Sequence, residues 1–149
     1  MKKIILTLKI IITFFIFSNT AIAIKANYFE EAIKLFNNEE YEKSKVLFER
    51  DIVFNPKSEK SYLYLAKIFK QNENDLEEEV NLTNVLTLNP NNEEAIYLTI
   101  LLKIKQSDFN EASELIKKFD LLCINFCSKK KEVQEKLKKL SAANAKNKN

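Results

Sequence analysis

Apolar residues return along this chain at intervals of three and four, the spacing of one face of a helix, and they rarely alternate as in a half-buried strand. Tyr28, Ala32 and Leu35 stand in this relation, as do Tyr62, Ala66 and Phe69. The pattern predicts helices near 27–37, 41–54, 58–71, 75–88, 92–106 and 109–122. A seventh, near 128–142, carries Val133, Leu137 and Leu140 as one narrow apolar stripe among lysines and glutamates, which suits a solvating cap. Two prolines and no glycine in 149 residues leave few helix breakers, so the fold class is all-α.

The prolines, Pro56 and Pro90, lie 34 residues apart in matching surroundings: Val53-Phe54-Asn55-Pro56-Lys57-Ser58-Glu59 against Thr87-Leu88-Asn89-Pro90-Asn91-Asn92-Glu93. In each, Asn-Pro stops one helix, and polar residues with an acidic first turn open the next. Folding the chain on this period aligns Tyr28, Tyr62 and Ile96; Ala32, Ala66 and Ile100; Leu35, Phe69 and Lys103; Ser44, Glu78 and Ala112; and Phe48, Leu82 and Ile116. These residues resemble the tetratricopeptide repeat (TPR) family, whose 34-residue unit is a helix–turn–helix closed by a proline. The resemblance covers about 25–124 and implies a right-handed superhelix of three units, capped by the seventh helix. It departs from the family where Ile100 takes a small residue's place, and where Asp75 and Glu78 replace an aromatic and a small residue. Leu76 is expected to take the aromatic's role by a register shift, and the crossing at Ile100 to be the loosest.

Residues 1–23 read as a secretory signal peptide: Lys2-Lys3, an apolar stretch from Ile4 to Phe17, then Ala21 and Ala23 before a cleavage point after Ala23. Lys9 interrupts the stretch, and the clean run Ile10–Phe17 is too short for a span. An inner-membrane anchor made by residues 4–24 is the alternative. The expected organisation is thus signal peptide 1–23, repeat domain with cap 24–143, and disordered tail 144–149. The expected location is the periplasm.

Composition and charge narrow the chemistry. The formal net charge is +3, but Lys2, Lys3 and Lys9 belong to the leader. Residues 24–127 hold 13 Lys/Arg and 19 Asp/Glu, whereas 128–149 hold 8 Lys and 2 Glu, so basicity is confined to the C-terminus. Without histidine there is no Ser-His or Cys-His pair and no imidazole ligand. Without glycine there is no phosphate-cradling loop or nucleophile elbow. No catalytic residue, metal or cofactor is expected. The clusters Glu30-Glu31, Glu39-Glu40-Glu42 and Glu77-Glu78-Glu79 read as solvated first turns rather than as a glycosidase pair. The Lys-rich end reads as a solubilising cap, with attraction to an acidic envelope partner or membrane surface as the alternative. Nucleic acid is not an expected partner, since the stacking residues of single-strand binders are missing there.

Cys123 and Cys127 are expected to form a disulfide pinning the cap in an oxidising compartment. Free buried thiols, or an accessory metal or redox site, remain alternatives. The family resemblance places a binding groove on the first helices: Phe29, Ile33 and Phe36; Leu63, Lys67 and Lys70; Tyr97, Leu101 and Ile104. The carboxylate clamp of some family members is not reproduced. An amphipathic helix or extended segment of another envelope protein fits such a groove; coverage by the cap helix or a second copy is the competing reading. The function expected is a non-catalytic adaptor or assembly factor, or, if the leader is retained, a membrane-anchored subunit.

Overall fold

The computed structural model describes residues 27–147. They form α1 (Tyr28–Asn37), α2 (Tyr41–Phe54), α3 (Glu59–Gln71), α4 (Asp75–Leu88), α5 (Glu93–Lys105) and α6 (Phe109–Leu122). A 3-10 turn (Cys127–Lys129) then leads into α7 (Lys130–Asn147). The helices pack as the antiparallel pairs α1/α2, α3/α4 and α5/α6, stacked in order, with α7 on α6 and α5. The expected helix boundaries therefore hold to within two residues for the first six. The last helix differs: it runs through Asn147 rather than ending before an expected disordered tail at 144. The leader and its cleavage point lie outside the described residues.

The tight turn within each pair explains how the chain manages without glycine. Glu39, Glu73 and Ser107, spaced by 34, have φ of 63°, 54° and 63°. Each is the left-handed residue that ends a first helix, where glycine is usual. The closing hydrogen bonds repeat as well: Glu40 N–H to Leu35 O, Asn74 N–H to Phe69 O and Asp108 N–H to Lys103 O, each 2.9 Å. A side chain in this conformation costs roughly 1–2 kcal/mol, partly offset by the extra freedom glycine has when unfolded. Glu39→Gly, Glu73→Gly and Ser107→Gly should therefore each raise stability by about 0.5–1 kcal/mol in denaturant titration. A loss at all three would show that their side chains contribute something the turn geometry does not.

The core is continuous along the stack. Ala32, Phe48, Leu65 and Ile68 join unit one to α3. Leu63, Ala66, Leu82, Val85, Ala95, Leu98 and Leu102 join α3 and α4 to α5. Ile96, Ile100, Ile104, Ala112, Ile116, Phe119 and Val133 join α5 and α6 to α7. This is how helix pairs too small to bury their own faces reach stability.

The crossing between the helices of each unit corrects two expectations. In unit one it pairs Ala32 with Ser44, whose hydroxyl donates to Ala32 O at 2.8 Å. The 34-residue period puts Ala66 with Glu78 and Ile100 with Ala112. Each crossing thus keeps at least one small residue, on whichever helix it falls. Ile100 is accordingly fully buried beside Ala112 and is not loose. Leu76 does not replace the missing aromatic, because it is 71% exposed. The register of α4 is unshifted, and Glu78 occupies the crossing position, 3% exposed. Lys103, aligned with Leu35 and Phe69, is held between Glu79 (2.7 Å) and Glu111 (2.9 Å), which compensate the charge its burial would strand.

Candidate functional site

The expected groove residues divide into three groups. Phe29, Ile33 and Phe36 are half-buried on α1 and reach the cluster of unit one. There Phe36 and Phe48 both meet Tyr64, with ring centroids 4.9 and 5.0 Å apart, and Phe29 approaches Phe48 at 5.8 Å. These rings are floor rather than free surface, with one edge open. Lys67 and Lys70 sit further along, on α3. Lys67 pairs with Glu94 at 2.7 Å and lies over the Tyr64 ring, 4.7 Å from its centroid. Such a cation over an aromatic face adds attraction to the ion pair. Tyr64 and Glu94 are thus part of the inner surface, and neither was expected there. Their signal was weak, since a tyrosine one position from the groove set reads equally well as core.

Leu63 and Ile104 lie inside the core, 8% and 1% exposed, and offer a partner almost no surface. Tyr97 and Leu101 pack against the third cluster beneath α7. The Tyr97 hydroxyl donates to Glu132 at 2.7 Å, and the Lys129 ammonium lies 5.6 Å from the Tyr97 ring centroid. Burial and that acceptor push the tyrosine up to about 12. The cap helix therefore covers the inner face of unit three, and the accessible inner surface is that of units one and two.

The cap is fixed from below. Cys123 and Cys127 form a disulfide with Cα atoms 5.3 Å apart. The Glu93 carboxylate, at the start of α5, accepts the backbone N–H groups of Ile124, Asn125 and Phe126 at 2.8, 2.9 and 2.8 Å. Those donors, Phe126 foremost, hold its pKa below the usual carboxylate range. One unit earlier, Glu59 accepts from Asn89 Nδ2 at 3.0 Å and from Asn92 Nδ2. Spaced by 34, these two glutamates each tie the loop ending a unit to the start of that unit's first helix.

Two acidic clusters behave as charged surface: Glu42 pairs with Lys45, and Glu79 with Lys103 and Gln106. Glu78 departs from the solvated first turn expected of it. Burial raises its carboxyl to about 7, against the opposing pull of Lys70. Burial in turn lowers the Lys70 pKa, with Glu78 opposing and Lys136 of the cap adding to the effect. Among the described residues, no three Cys, Asp or Glu side chains converge as a metal site would need. An open hollow of about 700 Å³ borders unit one, between Asn27, Phe29, Glu30, Asn55, Lys57 and Lys60.

Solved structures with this architecture are TPR domains. The first TPR domain of Spaghetti (RPAP3), bound to an HSP90 peptide, superposes with a TM-score of 0.66 at 17% identity, covering 78% of this chain and 89% of that one. The TPR2B domain of yeast Sti1, in its complex with an Hsp70 peptide, gives a TM-score of 0.66 at 16% identity, covering 78% and 94%. No family model matches the sequence. No curated protein matches it either. The chain thus has the fold of TPR domains, shown by superposition rather than by sequence similarity.

Proposed function

We propose that this chain is a non-catalytic adaptor that binds a segment of another protein on the inner face of units one and two. The observation that carries the reading is the contrast along that face. Unit three is covered by the chain's own α7, whereas Phe29, Ile33 and Phe36 on α1 keep an open edge beside Lys67 and Lys70. An aromatic floor with lysines at its margin suits an amphipathic helix or extended segment that carries some acidic residues. The structural neighbours, complexed with peptides of HSP90 and Hsp70, support a peptide-binding use of such a face.

The leader motif in residues 1–23 supports export, and a disulfide at Cys123–Cys127 suits an oxidising compartment. The partner is accordingly a protein of the cell envelope, with the chain periplasmic after cleavage at Ala23 or held at the inner membrane by residues 4–24. The Lys-rich α7, which surrounds its buried Val133 with exposed lysines, is a second surface for an acidic partner. A photo-crosslinking residue at Ile33 or at Lys70, placed in the native cell, should capture the same partner. The same residue at Val46, 43% exposed on α2, should not. Equal capture from Val46 would refute the groove. The mass of the crosslinked chain, beginning at Ile24 or at Met1, reads out the fate of the leader in the same experiment.

A further inference from the structure

Unit two keeps a cation and an acid within electrostatic reach of each other without an ion pair between them. Lys70 is exposed in the last turn of α3, and Glu78, 3% exposed, lies in the first turn of α4, on the other side of the tight turn at Glu73. Each acts on the other's ionisation, yet among the described residues neither forms an ion pair with any group. Neighbouring charges are otherwise engaged: Lys67 with Glu94, Lys105 with Asp75, and Glu132 with Lys129 and the Tyr97 hydroxyl. Packing does not explain the acid. At the same repeat position unit one has Ser44 and unit three Ala112, so the crossing asks only for a small side chain. An unpaired carboxylate there costs stability.

The charges facing the two groups come from four helices. On Glu78 act Lys70 from α3, Asp75 from its own helix and Lys105 from α5. On Lys70 act Glu78, Lys105 and, from α7, Lys136 and Glu132. Lys136 is exposed and, like Lys70, forms no ion pair among the described residues, so two free ammonium groups face this part of the inner surface. The chain has no histidine, the side chain that ordinarily titrates between pH 5 and 8, which leaves that range to groups moved into it by burial. Glu78, raised to about 7, is such a group. An anion arriving at Lys70 meets a like charge when Glu78 is ionised and an uncharged carboxyl when it is protonated. Resting on the adaptor reading above, we infer that Lys70 anchors an acidic side chain of the partner segment and that Glu78 gates the anchor, admitting the partner's carboxylate when it holds its proton and repelling it when it does not. Because the bound anion favours protonated Glu78, binding takes up a fraction of a proton and weakens as pH rises through neutrality.

The probe is a hexaglutamate peptide blocked at both ends, whose carboxylates stay ionised throughout the range tested. Its affinity for the full chain is measured by calorimetry at pH 6, 7 and 8 at one ionic strength, with circular dichroism checking the fold of each variant. Binding should be roughly three- to tenfold weaker at pH 8 than at pH 6, the effect of one like charge near the anchor. Glu78→Gln should bind at pH 8 as the wild type does at pH 6. Lys70→Gln should weaken binding severalfold at pH 6, and Lys70→Arg should retain it. Arg50→Gln, the same charge lost from an exposed position on α2, should leave it unchanged. Equal wild-type affinity at all three pH values, or a pH dependence that persists in Glu78→Gln, would overturn the gate. A Lys70→Gln chain that binds like Arg50→Gln, or no binding to the wild type at pH 6, would overturn the anchor. The adaptor reading fails separately: capture of a partner from Ile33 alongside any of these results would keep the partner on the inner face and remove only its acidic anchor.

Discussion

Phe48→Ala should destabilise the domain by about 3–5 kcal/mol, the range for an aromatic side chain lost from a packed core. Phe48 is fully buried, and its ring contacts both Tyr64 of the next unit and Phe29 of its own. It is therefore the piece that joins unit one to the stack. Because stability in stacked units is the sum of each unit and its neighbour interface, the loss falls on the first unit. Domains are stable by only about 5–15 kcal/mol in total, so the melting temperature should fall on the order of 10–20 °C. Phe48→Leu, which installs the residue that unit two uses at the equivalent Leu82, should retain most of the stability. A thermal melt followed by circular dichroism checks both. A loss under about 1 kcal/mol in the alanine variant would mean that the ring cluster is not formed in solution.

Glu78→Gln should have no effect near pH 4.5 and should stabilise increasingly as pH rises to about 7 and beyond. The Glu78 carboxyl, raised to about 7 by burial, binds its proton more tightly in the folded chain than in the unfolded one. Between the ordinary carboxylate range and pH 7 the folded state therefore holds more protons, and stability falls as pH rises through that window. The groups facing it moderate this without cancelling it: Lys70 and Lys105 favour the charged form and Asp75 opposes it. The isosteric amide removes the penalty of ionising in place, which is no more than about 3 kcal/mol. Melts should accordingly coincide for wild type and variant near pH 4.5, then separate as pH rises, with the variant higher. Coincident curves up to pH 8 would mean that Glu78 ionises freely, with its carboxylate in water. Unit two would then be open at its crossing.

The two predictions fall on positions that differed in legibility. Phe48 was readable because its partners at the same repeat position, Leu82 and Ile116, are apolar and the 34-residue period is intact. Glu78 was readable only as an anomaly. Local spacing suggested a register shift through Leu76, whereas packing keeps α4 in register and leaves Leu76 in water. A helix register is decided by every contact along its face, and Leu82 and Val85 outweigh one misplaced carboxylate. The tight turns show the same relation. The sequence offered no glycine to mark them, yet Glu39, Glu73 and Ser107 adopt the left-handed conformation, because the helices on either side pack only if the chain reverses there.

The inner face of the first helices was legible in outline and not in detail. Its helices follow from the repeat, and so do Phe29, Ile33 and Phe36. The depth of Leu63 and Ile104 depends on how closely neighbouring first helices approach, which no residue count reveals. The coverage of Tyr97 and Leu101 depends on where α7 lands.

By itself, then, the sequence determined the all-helical class, the period and the bounds of the first six helices, because each rests on residues close together in the chain. Only the tertiary structure decided which inner face is open and which carboxylate is buried. Those properties belong to surfaces assembled from residues about 30 or more apart, as in Tyr97 with Glu132 or Phe126 with Glu93. Local spacing carries no information about which of two apolar faces another helix will cover; packing settles it by burying the larger area.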